Sequence, residues 1–248
     1  MTTACMVKGE KYDMFVRSIY ESVNIYTLFG IFFVGCVLGV VVEMLWCLFR
    51  YHKLESRKGL VWGPFNLVYG FGAVLMTLGL LPFLDRPPVV LFTVGAVIGG
   101  AYEYICSVVQ EKVVGTVSWD YSELPLNLHG RISLLYCSFW GVLALCWGQT
   151  LYPVIIDLLS YIPDTLAVPL TRFGVVFFTV DTIHSALVIC RENARLCGEP
   201  ATNALWRWYD KHYPDKRVRR IYPNMQFGHT LATPDMEELR EKWEHRFS

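Results

Sequence analysis

The sequence predicts an all-α, polytopic membrane helix bundle of about five transmembrane helices, followed by a C-terminal cytoplasmic helical tail. Two observations carry this. The 248 residues are 54% hydrophobic and 18% charged, whereas a soluble domain holds about a quarter charged residues. The missing charge corresponds to long apolar runs, and five of them reach the roughly 20 residues that a bilayer crossing needs. They lie at about 25–49, 61–83, 89–110, 132–152 and 168–190.

Taken in order, residues 1–24 hold Lys8, Glu10, Lys11, Asp13, Arg17 and Glu21, with no apolar h-region and no small-residue cleavage site. They read as an N-terminal interfacial segment, with a short helix over 12–20, rather than a cleaved signal peptide. The first apolar run is then an uncleaved anchor, and residues 25–190 form the transmembrane domain. Residues 153–162 are apolar but short and contain Asp157, which predicts an interfacial or re-entrant piece after the fourth span. Residues 191–248 change character: Trp206, Trp208, Tyr209 and Tyr213 alternate with charge, and Pro214, Pro223 and Pro234 punctuate the segment. Residues 236–247 read as one amphipathic helix capped by Thr233 or Asp235.

The formal net charge is zero, but its distribution is uneven. Eight Lys or Arg residues fall between Arg191 and Arg220, and none between Val89 and Gln110. Arg50, Lys53, Arg57 and Lys58 follow the first span, and Lys112 and Arg131 bracket the third connection. By the positive-inside rule these mark the cytoplasmic face. The expected location is the cell (cytoplasmic) membrane, with the N-terminus outside and the C-terminus inside. Lys8, Lys11 and Arg17 pull the other way. Beside a membrane span the basic tail reads as a membrane-surface anchor, not a nucleic-acid site.

The eight cysteines form no CxxC or Cys/His cluster, so neither a disulfide framework nor a metal site is expected, and no cofactor is implied. GxxxxGK[ST], HExxH, GxSxG and dinucleotide fingerprints are all missing, which excludes ATP hydrolysis by a P-loop within this sequence.

Two apolar helices each carry a glutamate four residues after a glycine, Gly39 to Glu43 and Gly99 to Glu103. Each leads through a polar connection into another apolar helix. Gly59, Trp62, Pro64, Asn66 and Gly70 follow the first in the same order as Gly115, Trp119, Pro125, Asn127 and Gly130 follow the second. One whole hairpin separates the copies, so this is read as a parallel duplication. The fifth span runs in the same direction and carries Asp181, with His184 one turn later. An intramembrane acid is costly and must be protonated or paired, so it marks a functional site by default. Glu43, Glu103 and Asp181 are therefore expected to line one polar centre. Arg131 and Arg57 are the candidate countercharges, with Arg50 two turns past Glu43, and His184 the partner of Asp181. Around them, Asn66, Asn127, Trp119, Asp120 and Tyr121 supply hydrogen-bonding groups in connections whose broken backbone survives only beside protein or a water-filled cavity.

The strings Glu55-Ser56-Arg57-Lys58-Gly59, Gly63-Pro64-Phe65 and Tyr69-Gly70 form one half of a wider pattern. Trp119-Asp120-Tyr121-Ser122, Pro125, Asn127, Gly130-Arg131-Ile132 and Trp140-Gly141 form the other. Together, over about Gly30 to Gly148, they resemble the ABC-transporter type IV, or CmpB-like, integral membrane proteins. Asp181 suits the acid of that family's last span. The resemblance implies a small permease-like protein.

The leading expectation is a permease, or a membrane subunit of a transporter, that moves a small solute through the acidic centre. Its partners are then the lipid bilayer, an ATPase subunit in trans and, as an open alternative, further copies of itself. Two other classes stay open. One is a membrane-embedded enzyme acting on a lipid-linked phosphate held by Arg57 and Arg131, with the acids as general acid and base. The other is a structural or regulatory subunit with a dry bundle and fully paired acids.

Overall fold

The computed structural model describes residues 23–227. The interfacial helix expected over 12–20 and the amphipathic helix expected over 236–247 lie outside the described residues. Within them the chain forms α1 (Ile25–Tyr51), α2 (Leu67–Leu80) with a 3-10 turn to Phe83, and α3 (Pro88–Val114). Three two-residue strands follow, β1 (Thr116–Val117), β2 (Asn127–Leu128) and β3 (Ile132–Ser133). Next come α4 (Leu134–Cys146), a π-helical turn over Trp147–Leu151, α5 (Tyr152–Ser160) and α6 (Asp164–Leu196). The C-terminal part holds α7 (Ala204–His212), α8 (Asp215–Ile221) and β4 (Gln226–Phe227).

Among the described residues, four helices are long and apolar enough to cross a membrane: Ile25–Arg50, Pro88–Val114, Leu134–Ser160 and Asp164–Leu196. The apolar helix Leu67–Phe83 is shorter, because residues 61–66 do not join it. The backbone N–H groups of Val61 and Trp62 donate instead to Ser185 Oγ (2.8 Å) and to the Asp181 carboxylate (3.2 Å) on α6. Helix α2 starts only where the Asn66 side chain accepts from the Val68 N–H, satisfying one of the orphan donors of its first turn.

The segment over 153–162, expected to be interfacial or re-entrant, instead continues the fourth apolar helix to Ser160. Pro153 has no N–H, and its ring would collide with the carbonyl one turn back. A π-helical turn absorbs the misfit, with the Tyr152 N–H donating to the Trp147 carbonyl.

The apolar helices pair as two hairpins, α1 with α2 and α3 with α4, and small residues let the backbones touch. A Cβ on Gly35 would meet Ala73, and one on Gly39 would fall 2.0 Å from the Tyr69 ring. In the second hairpin Gly95 meets Ala144 and Gly99 lies against Trp140 in the same way. In return Gly70 sits on the Phe32 ring and Gly141 on the Phe92 ring.

Ile31, Met76, Leu80, Leu91, Trp147, Tyr152 and Ile155 fill one half of the bundle. The other half carries both polar connections and α7–α8. There β4 pairs with β1 antiparallel, Thr116 opposite Phe227. Val188, Tyr209, Tyr213 and Val218 bury the inner face of α7 and α8 against α6. Polar clamps fasten this packing. Arg191 donates twice to Asp210 (2.7 and 3.0 Å), and Arg195 reaches both Asp210 and Asp215.

Candidate functional site

A cavity of about 930 Å³ lies between the two hairpins, in the half of the bundle nearer the polar connections. Glu43 enters it from α1 and Glu103 from α3. Both carboxylates are gripped by aromatic donors on the elements their helices pack against. Glu43 accepts from the Tyr69 hydroxyl. Glu103 accepts from the Tyr121 hydroxyl (2.8 Å) and the Trp140 indole N–H (2.6 Å). The glycine one turn before each glutamate is what lets that ring approach: Gly39 faces Tyr69 and Gly99 faces Trp140.

The first connection supplies the cationic side. Arg57 and Lys58 both line the cavity. The Arg57 Nε is buried without a hydrogen-bond partner among the described residues, and its Nη2 stands 3.8 Å from Glu55. Lys58 Nζ donates to the Val61 carbonyl at 2.7 Å. Burial pushes the Lys58 ammonium below its ordinary pKa, and the Asp181 carboxylate opposes that shift. Asn66, besides capping α2, donates to the Arg57 carbonyl at 3.3 Å and so ties this loop to the helix start. Trp119 and Tyr121 close the same end from the second connection. Burial, and next the Glu103 charge, raise the Tyr121 phenol well above its usual pKa, so it stays a donor.

The structure thus brings together Glu43, Glu103, Arg57, Asn66, Trp119 and Tyr121. The other expected site residues stand apart from the cavity. Arg131 is bonded to Ser107 (2.9 Å) and to Glu111. Asp120 and Asn127 hold the second connection in its turns, Asp120 accepting from Ser122 and Asn127 bridging Ser122, Leu124 and Gly130. Asp181, fully buried on α6, accepts from the Trp62 N–H and from Ser185. His184 bonds the hydroxyls of Tyr209 (3.1 Å) and Tyr213 (2.8 Å) on the C-terminal part, and stacks on Trp62. Asp181 and His184 therefore hold the first connection and the tail in place, and among the described residues the acids on the cavity wall are Glu43 and Glu103.

Lys58, Tyr69 and Trp140 also line the cavity, and spacing alone misses them. The usable signal was an aromatic–glycine step, Tyr69-Gly70 and Trp140-Gly141, early in the helix after each polar connection.

The model of the family described as "Putative ABC-transporter type IV" matches residues 30–186. The chain belongs to this family. The matched region holds both hairpins, both polar connections and most of α6, and with them every cavity residue named above. With its apolar helices, membership makes this a multi-pass, transport-related membrane protein. No match was found among curated proteins or among solved structures.

Proposed function

We propose that the chain is a permease-like integral membrane protein, or the membrane subunit of a transporter, that moves a small solute through the cavity between Glu43 and Glu103. The observation that carries this reading is a cavity of about 930 Å³ into which two glutamates and two basic residues all face. Its position supports transport: it reaches Glu43 from the half of the bundle holding the connections, while the opposite half is filled by apolar side chains. A cavity confined to one half of the bundle fits a one-sided transport site. A purely structural subunit has no use for it. The enzyme reading is weaker because Arg131, one of its phosphate contacts, is committed to Ser107 and Glu111 on α3, and Asp120, its headgroup acid, to Ser122 in its own turn.

In this reading Leu67–Phe83 is the fifth crossing. It extends about 25 Å at 1.5 Å per residue against a core of roughly 30 Å, a mismatch that local thinning accommodates. The N-terminus is outside, and both connections and the tail are cytoplasmic, where an ATPase subunit would dock.

The two hairpins are a parallel duplication. Phe32, Gly35, Gly39 and Glu43 match Phe92, Gly95, Gly99 and Glu103 at one offset, 60 residues (43 to 103). Tyr69, Gly70, Ala73 and Pro82 match Trp140, Gly141, Ala144 and Pro153 at another, 71 residues (69 to 140). The contacts of the two sets correspond pair by pair.

The test is transport by proteoliposomes carrying the full chain, offered labelled inorganic cations, inorganic anions, amino acids and fluorescent phospholipids in turn. Glu43→Gln and Glu103→Gln should each cut movement of the transported species to less than about a tenth, with the protein level in the membrane unchanged. Wild-type transport by both variants overturns the assignment.

A further inference from the structure

The cavity wall combines features that a small ion alone does not call for. From α1, α3 and α4 it is lined by Val42, Trp46, Ile105, Val109, Phe139 and Leu143. These side chains are also on the outside of the bundle, Ile105 57% and Phe139 56% exposed. The cleft between the hairpins is therefore open sideways, toward bilayer hydrocarbon. At its connection end the lining turns abruptly polar. Arg57 presents a buried Nε with no partner among the described residues, an unmet donor that calls for an acceptor. Lys58 stands next to it, its ammonium keeping two of three donor hydrogens beyond the one given to the Val61 carbonyl. Glu43 and Glu103 supply two carboxyl groups within a wall of rings, Trp46, Tyr69, Tyr102 and Trp119 among them, the setting in which an ammonium gains from both charge and π-face. Two basic and two acidic side chains give a lining that is polarised.

We propose that the occupant is a membrane amphipath with a zwitterionic headgroup, entering from the bilayer, its phosphate-type anion on Arg57 and Lys58 and its amine between Glu43 and Glu103. The inference rests on the permease reading and names its substrate class. It also fixes where selectivity comes from. Hydrocarbon chains gain nothing by leaving lipid for an equally apolar cleft, so discrimination falls on the headgroup.

The experiment measures lipid retained by delipidated full-length protein in detergent. The protein is offered phosphatidylethanolamine, phosphatidylglycerol of identical chains, or free phosphoethanolamine, and read by native mass spectrometry. Alkylation of the native Cys106 thiol on the cavity wall reports occupancy without any substitution. Expected is retention of the zwitterionic lipid about tenfold above the anionic one, the worth of one charged hydrogen-bonded contact. Arg57→Gln should lose both lipids, and Arg57→Lys should keep part of the binding. Glu43→Gln with Glu103→Gln should lose only the preference. Val109→Trp, which narrows the cleft without touching a charge, should reduce both lipids and keeps the test decisive if an Arg57 variant fails to fold. Equal retention of the two lipids by the wild type, or unchanged retention by Arg57→Gln, means annular lipid only and overturns the proposal. Equal protection of Cys106 by free phosphoethanolamine overturns the lipid assignment in favour of a soluble aminophosphate. Failure here alongside transport of a soluble species leaves the permease reading standing; selective retention with no transport of any species does the reverse.

Discussion

Gly39 and Gly99 place an aromatic ring one helical turn below each cavity glutamate, and no larger residue fits there. A Cβ on Gly99 would lie 2.3 Å from Trp140 Cγ, and one on Gly39 only 2.0 Å from Tyr69 Cγ. Gly72 differs, since a Cβ there would stand 3.3 Å from a Tyr102 ring edge. Overpacking of this kind costs about 1–3 kcal/mol, and here it also pushes the donor away from its carboxylate. Gly39→Ala and Gly99→Ala should each lower stability by about 2 kcal/mol, whereas Gly72→Ala should change little. Thermal unfolding in detergent, followed by tryptophan fluorescence, measures both. A Gly99→Ala protein as stable as the wild type would mean that the Trp140–Glu103 contact is not held by this packing. The glutamates themselves were legible in the sequence because a carboxylate in an apolar helix stands out. Of their partners only Tyr121 was singled out by its polar surroundings, because Tyr69 and Trp140 look like ordinary membrane aromatics until the helices are paired.

At the scale of elements, the apolar runs gave the helices and their ends gave the surprises. Residues 61–66 are apolar enough to join α2, yet Asp181 and Ser185 on α6 take their N–H groups, a contact no local pattern reveals. Likewise Asp181, matched to Glu43 and Glu103 by direction and depth, turned toward the connection because backbone donors were there to satisfy it. The tail was readable as a change of composition, but its docking depends on pairs far apart in sequence, Arg191 with Asp210 and Arg195 with Asp210 and Asp215. Hydrogen bonding from Arg191, then from Arg195, holds the Asp210 carboxyl below its ordinary pKa. A depressed acid pKa adds stability that is complete above the unfolded value, about 3.9, and disappears as the pH falls through the folded one. The tail should therefore stay docked through neutral pH and loosen only below about pH 4. Asp210→Asn leaves the Arg191 guanidinium, 5% exposed, without its anion, and should cost about 3 kcal/mol of docking at pH 7. Limited proteolysis after α6 reads both effects. Resistance of Asp210→Asn equal to that of the wild type would assign the docking to the Tyr209–Tyr213–Val218 packing instead.

The whole molecule has two unequal ends, and this asymmetry sets how it sits in a membrane. One end holds the turns after α2 and α5, with Asp85 and Arg86 the only charged residues between α2 and α3. The other gathers Lys53, Arg57, Lys58, Lys112, Arg131 and the basic residues of α7 and α8. Positive charge next to spans stays on the cytoplasmic side, and anionic lipid there adds about 1 kcal/mol per nearby Lys or Arg. The predicted arrangement puts the connections, the tail and the polar end of the cavity inside. Native Cys197, exposed and free after α6, and an Arg86→Cys substitution at the opposite end make a pair of reporters in a Cys5→Ser background. In sealed right-side-out vesicles, a membrane-impermeant maleimide should label Arg86→Cys and spare Cys197 until the membrane is opened; in inverted vesicles the pattern should reverse. Labelling of Cys197 from outside would place the polar end of the cavity on the external face. The same acids and cations would then receive an occupant from the outer leaflet, and an ATPase partner could not reach the connections at all.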